Sequence, residues 1–243
     1  KDRFFWDGRV STLKEQAGLP IEDPLEMHLP IAQAEQRLQR HPEYVDLFWK
    51  AFGTKTVTRD LITKAIEQFE KTLLSYNSKF DKYARGEMEL SASELRGLDI
   101  FKTEKGDCFH CHSSTAPEVF ISPDRTFANN GLDSVSSVLD FADFGLGKFT
   151  GNVNDYGRFK IPTLRNLAFT APYMHDARFA TLDEVIDFYS AGPKGSPTLE
   201  PIMREKANKR VELTGHWGLN LSTQEKADLK AFLLTLSDST FIR

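Results

Sequence analysis

Cysteine is scarce: the 243 residues hold two, Cys108 and Cys111. Two thiols separated by two residues cannot build a disulfide framework. Long apolar runs are missing too, and nothing approaches the ~20 residues that a membrane helix needs. There is no excess of positive charge; the formal net charge is −4, which argues against a nucleic-acid footprint. The period-two alternation of strands is rare, and no internal repeat stands out. The chain opens Lys-Asp-Arg rather than with Met, which fits a processed or truncated product, so the lack of a leader says nothing about compartment. The remaining composition, 40% hydrophobic and 27% charged, is that of an ordinary globular protein with room for one large domain or two modest ones.

What is present is mostly helical. Thr58 is placed to cap a helix in which Leu61, Ile62, Ala65, Ile66, Phe69, Leu73 and Leu74 recur at helical spacing. Ser91/Glu94, Thr181/Glu184 and Ser222/Glu225 each form a capping box, a hydroxyl and a carboxylate that satisfy each other's backbone N–H. After the last of these, Leu229, Phe232, Leu233 and Leu236 make one apolar stripe. Residues 113–160 are rich in Gly, Pro, Asn and Asp, and a loop region that long in a compact domain usually surrounds something functional. The stretch KYARGEMELSASE suggests a boundary near residue 87, giving domains 1–86 and 87–243. The basic stretch MREKANKR (203–210) reads as a solvated face.

The segment KGDCFHCHSS concentrates the chemistry. Cys108-x-x-Cys111-His112 has the spacing of a c-type haem attachment motif. Two thiols on one helical turn match the separation of the two vinyl groups on a porphyrin edge. The imidazole that follows then falls beneath the iron. A zinc site would need four ligands, and there is no second cysteine pair. A thioredoxin-like redox pair would need a βαβ setting. Haem c is attached on the outer side of the bacterial cytoplasmic membrane, so the motif implies a periplasmic location.

With that motif placed, longer stretches resemble the di-haem cytochrome c peroxidase and MauG family. They are FFWDGRVSTLKEQAGLPIEDPLEM, AIEQFEKTLLSYNSKFDKYARG, GRFKIPTLRNLAFTAPYMHDARFATLDEVIDFY and LNLSTQEKADLKAFLLTLSD, which together cover nearly the whole chain. The resemblance implies a mainly α fold of two cytochrome c-like, helical, loop-rich domains, the first truncated at its N-terminus. Residues 1–86 would be the later part of the peroxidatic, low-potential haem domain. Residues 87–243 would be the high-potential, electron-transfer domain, with Cys108, Cys111 and His112 holding its haem. The attachment motif of the first haem, which the family places before the Trp-Asp-Gly-Arg stretch, is not in this sequence.

The same resemblance assigns roles. Trp6 matches a tryptophan between the two haems that could relay an electron; taken alone it would be a core aromatic beside an Asp-Gly turn. Gln16, Pro20 and Glu26 match the peroxide pocket. Cleaving a peroxide O–O bond needs a proton carried from one oxygen to the other, a task for the Glu26 carboxylate, with Gln16 orienting the peroxide. Tyr189, fourteen residues after His175, matches the sixth ligand of the second haem in the MauG-like branch, where the peroxidase branch has Met. Met174 is the alternative. A phenolate ligand would lower the iron's potential and a thioether would raise it. His175, Arg165 and Lys160 match positions near the haem and its propionates. The carbonyls of Thr170 and Pro172 match calcium ligands. Ala177 stands where the family commonly has Gly. Residues 105–107, Lys-Gly-Asp, lack the aromatic through which MauG oxidises a protein substrate. His28, His41, His110 and His216 are assigned structural or surface roles.

The reading that follows is a periplasmic di-haem peroxidase. It reduces hydrogen peroxide with electrons from a small cytochrome c or cupredoxin and needs haem c and calcium; the resemblance leaves room for a homodimer, since family members are often dimers. The rivals are a MauG-like oxidase of an organic or protein substrate, and a mono-haem electron-transfer module.

Overall fold

The structure, a computed structural model, describes residues 3–112 and 126–240. The loop reading over residues 113–160 therefore lies partly outside the described residues. The fold is helical and loop-rich, and it divides into two compact units, Lys1–Leu74 and Ser75–Arg243.

The first unit holds α1 (Leu13–Glu22), α2 (Ile31–Gln39), α3 (Pro42–Phe52) and α4 (Arg59–Glu70). A Thr12/Glu15 capping box opens α1. α4 lies against α1, close enough that a Cβ at Gly18 would sit 3.4 Å from Thr63 Cγ2. Arg59–Glu22 (3.1 Å) and Lys14–Asp60 ion pairs tie the two helices together. Phe48, Val57 and Ile62 form the small core. The Gln39 side chain holds the loop before α4, donating to Lys55 O at 3.0 Å and accepting from Val57 N at 2.8 Å. Thr58 caps α4 as the spacing predicts. The apolar spacing overruns the helix, however. α4 ends at Glu70, where the Thr72 hydroxyl donates to Phe69 O at 2.7 Å and occupies one of the terminal carbonyls; Leu73 and Leu74 lie beyond it, exposed.

The second unit contains α5 (Lys79–Ala84), α6 (Ala92–Lys102), α7 (Phe109–His112), α8 (Gly147–Thr150), α9 (Leu182–Ala191), α10 (Pro201–Thr214) and α11 (Thr223–Leu234). A two-stranded antiparallel ribbon pairs β1 (Phe127–Ala128) with β2 (Phe159–Lys160). The three predicted capping boxes are formed at α6, α9 and α11. The core is the crossing of α6 and α11, where Phe101, Phe232 and Leu236 are fully buried, each burial worth about 1.5–3 kcal/mol. The crossing is close because residue 97 is glycine: a Cβ there would lie 2.0 Å from Asp228 O. Asp228, itself buried, accepts from Arg96 at 2.7 and 2.8 Å and from Ser93 at 2.5 Å.

The compact units divide at 74/75, ahead of the boundary near residue 87 that the sequence suggests. The reason is α5, which belongs to the second core. The Phe80 ring packs edge-on against Phe232 at 5.5 Å, and Phe80 N–H donates to Thr235 O at 3.0 Å. Asp81 makes a two-pronged ion pair with Arg165 at 2.8 and 2.9 Å.

Candidate functional site

In the second unit, α6 delivers the chain to a tight turn. Gly106 N–H and Asp107 N–H both donate to Thr103 O, at 3.2 and 2.9 Å, and Asp107 adopts a left-handed φ of 58°. α7 follows as a single helical turn, with Cys111 N–H and His112 N–H both reaching back to Cys108 O at 3.2 and 3.0 Å. Cys108, Cys111 and His112 therefore stand on one turn of helix. Both cysteines are free thiols. Burial pushes the Cys108 thiol up to about 12, with Asp107 adding to the rise, so it stays protonated and donates to Gly106 O at 3.2 Å. Two free thiols one turn apart, followed by an imidazole, are a donor set that would suit a porphyrin held by two thioethers and a histidine nitrogen.

The turn is clamped from a distance. Lys206 and Arg210 of α10 pair with Glu104 (2.7 Å) and Asp107, and Lys105 pairs with Glu225 of α11 at 3.1 Å. His110 adds contacts to Glu104 and Asp107 at 3.3 and 3.2 Å. The basic stretch is therefore not a wholly solvated face: two of its cations clamp the turn, Arg204 donates to Ser196 O at 2.8 Å, and Ala207 is fully buried. Position 106 has no room for a side chain, since a Cβ would lie 2.3 Å from Ile100 O. The missing aromatic before the motif thus has a steric reason.

The two alternatives for the sixth ligand meet at one residue. Asn130, just after β1, donates to Tyr189 OH at 3.3 Å and reaches Met174 Sδ at 3.7 Å. Burial pushes the Tyr189 hydroxyl up to about 12. The Asn130 bond acts in the other direction, and the Cys111 and Cys108 thiols lie near enough to add to the rise. Met174 sits at φ 71° and Ala177 at φ 60°, so the Gly-to-Ala change noted in the sequence leaves a side chain on a left-handed residue. His175 stacks on Phe159 with ring centroids 3.4 Å apart, and burial lowers its basicity. Lys160 lies next to Phe159 on β2, half-buried. The structure turns Arg165 toward Asp81. Thr170 and Pro172 are exposed.

In the first unit, Gln16 and Pro20 occupy one face of α1, one turn apart. Pro20 has no N–H for the Gln16 carbonyl. The chain then folds back, with Met27 N–H donating to Pro20 O at 3.1 Å and Leu29 N–H to Ile21 O at 2.8 Å. Glu26 sits in this return turn, exposed. Gln16 Oε1 is buried with no hydrogen-bond partner among the described residues. Trp6 is 41% exposed in a turn. Arg9 covers the neighbouring Phe5 ring at 3.5 Å.

Sequence reasoning missed Asn130, which looked like one turn-former in FANNGLD, and the α10 clamp, whose partners lie about a hundred residues apart.

A family model for di-haem cytochrome c peroxidase matches residues 1–89. Cytochrome c551 peroxidase of Nitrosomonas europaea is 40% identical over 184 residues, covering 75% of this chain and 53% of that protein. Methylamine utilization protein MauG of Methylophilus methylotrophus is 36% identical over 237 residues, covering 96% of this chain and 63% of that protein. Among solved structures, a MauG-like protein associated with microbial copper homeostasis superposes with a TM-score of 0.78 at 33% identity, covering 99% of this chain and 73% of the other. The chain thus spans between about half and two thirds of the length of these curated relatives.

Proposed function

The chain belongs to the di-haem cytochrome c peroxidase and MauG family, and from that premise we propose that it works in a periplasmic oxidoreductase that reduces hydrogen peroxide to water. Two electrons from a small cytochrome c or cupredoxin and two protons balance the reaction. The observation that carries the reading is Gln16 Oε1. A buried acceptor without a donor costs about 1–3 kcal/mol, and a peroxide O–H is a donor that would satisfy it.

Cys108 and Cys111 would hold a haem c through thioethers, and His112 together with Tyr189, or alternatively Met174, would ligate its iron. The group would supply one-electron redox chemistry. The sequence holds one such attachment motif, so the second haem of a di-haem enzyme would be held by residues other than these. Glu26, on its turn at the end of the α1 face that carries Gln16 and Pro20, takes a proton from one peroxide oxygen at its carboxylate and returns it to the departing one. Gln16 fixes the peroxide by accepting from it. Trp6, open at the surface of its own unit, relays electrons. His175 and Lys160 match positions that would lie near the haem of the second unit. Arg165 matches a position that would pair with a propionate, while its guanidinium is engaged by Asp81 through both terminal nitrogens. The carbonyls of Thr170 and Pro172 are hard oxygen donors suited to calcium.

Replacing Glu26 with Gln is expected to lower peroxide turnover by about 10²–10⁴-fold while the haem spectrum stays as it was. Unaltered turnover would remove Glu26 from the reaction. A MauG-like oxidase is the second reading, favoured by a tyrosine at position 189, held by Asn130, and opposed by the closed space at Gly106.

A further inference from the structure

We infer that Asn130 is the positioning residue that decides which side chain, Tyr189 or Met174, faces the haem of the second unit. The inference rests on the proposed haem attachment at Cys108, Cys111 and His112. Its basis is geometric: one amide nitrogen serves both candidates, at 3.3 Å from the Tyr189 oxygen and 3.7 Å from the Met174 sulfur.

The amide is held firmly in place. On one side, the Asn129 side chain donates to Ser196 and Thr198, each at 3.0 Å, and its backbone carbonyl accepts from Glu200 N–H at 2.9 Å. On the other side, Gly131 N–H donates to the Asn129 side-chain oxygen at 2.9 Å, and Gly131 O accepts from Lys194 N–H at 2.8 Å. Gly131 has a left-handed φ of 75°, and a Cβ there would lie 2.6 Å from Pro193 Cβ. The backbone flanking Asn130 is thus stitched to the 193–200 segment, and the side chain projects from a rigid base.

The two contacts are unequal in consequence. A hydrogen bond donated to a phenolate is charge-assisted and roughly twice as strong as one to a neutral acceptor. A thioether sulfur is a weak acceptor. The same donor therefore favours an ionised, ligating Tyr189 and does little for a ligating Met174. It also engages the Met174 sulfur, which a metal would need. Asn130 biases the centre toward the phenolate and a low potential.

The test compares Asn130→Leu, of similar volume, and Asn130→Asp, of the same shape but without the donor, with Tyr189→Phe, all as haem-loaded protein. Electronic and electron paramagnetic resonance spectra and the midpoint potential are the readouts. Intact mass and far-ultraviolet circular dichroism show that haem and fold are retained. The expected result is about a tenfold fall in the ratio of tyrosinate- to methionine-ligated haem in both Asn130 variants, with a higher potential, and loss of the tyrosinate signature in Tyr189→Phe. If Tyr189→Phe changes the spectrum and whichever Asn130 variant folds keeps both spectrum and potential, the assignment to Asn130 is overturned while tyrosine ligation stands. If Tyr189→Phe changes nothing, tyrosine ligation fails and the inference falls with it. Protein without covalent haem would instead refute the attachment at Cys108 and Cys111.

Discussion

Gly97→Ala would add one methyl group where α6 crosses α11. The added carbon would lie 2.0 Å from Asp228 O, 2.6 Å from Asp228 C and 2.7 Å from Phe232 Cβ. An ordinary carbon–oxygen contact is about 3.3 Å, so the helices must part by about 1.3 Å. A gap of that size forfeits a quarter to a half of the dispersion energy or more along the seam of Leu98, Phe101, Leu229 and Phe232. Overpacking of this kind costs about 1–3 kcal/mol, and the opening seam takes it to the upper end. Alanine returns about 1 kcal/mol through helix propensity. The net loss is about 2 kcal/mol, a fall of about 1 M in the urea midpoint for a slope near 2 kcal/mol/M. The assay is urea unfolding of the haem-loaded protein, followed in the Soret band so that the second unit is read. Gly195→Ala is the control, because nothing lies within 4 Å of a Cβ there and its effect should stay within about 0.5 kcal/mol. A Gly97→Ala midpoint equal to or above that of the parent would refute the reasoning, since propensity alone would then decide the outcome.

Two further outcomes are expected. Ala177→Gly should stabilise the protein by about 0.5–1 kcal/mol, because it relieves a left-handed alanine and gives back part of the gain as unfolded-state entropy; a lower melting temperature would count against this. Asp81 is subject to burial, which raises its pKa, but hydrogen bonds from Arg165 and Ser78 outweigh burial and hold the carboxyl below its usual value, with Asp238 as a nearby like charge. Its contribution is therefore complete above about pH 4 and disappears as pH falls through the lower folded value. Asp81→Asn should cost about 3 kcal/mol at pH 7, and the difference from the parent should shrink on acidification; a gap independent of pH between 6 and 2 would contradict the ion pair.

Local chemistry was the legible part of this sequence. Thr58, Ser91, Thr181 and Ser222 each begin a helix because a cap needs only partners within three residues. The Cys108–His112 turn was legible for the same reason, its chemistry lying within five residues. What escaped depends on distant partners. Gly86 marks a real turn, at φ 74°, while α5 before it is assigned to the second unit by the Phe80–Phe232 contact, which spans far more sequence than any turn signal. Asn130 could not be told from Asn129 or Asn152 by pattern. Only the fold separates the amide that braces a loop, as Asn129 does toward Ser196, from the amide that faces two candidate ligands. Leu73 and Leu74 show the converse error, in which spacing continued past a helix that Thr72 had already closed.

The α10 clamp has a consequence for the order of events at birth. Its ion pairs join residues 102 and 103 positions apart, so they cannot exist until Lys206 and Arg210 have left the ribosome. In a chain that emerges N-terminus first, α6 and the two thiols of the turn after it arrive early with nothing downstream to lock that turn. Contacts this distant in sequence are the slow ones to form. The interval leaves Cys108 and Cys111 accessible in an open chain, and the later arrival of α10 closes the turn on whatever the thiols have by then acquired.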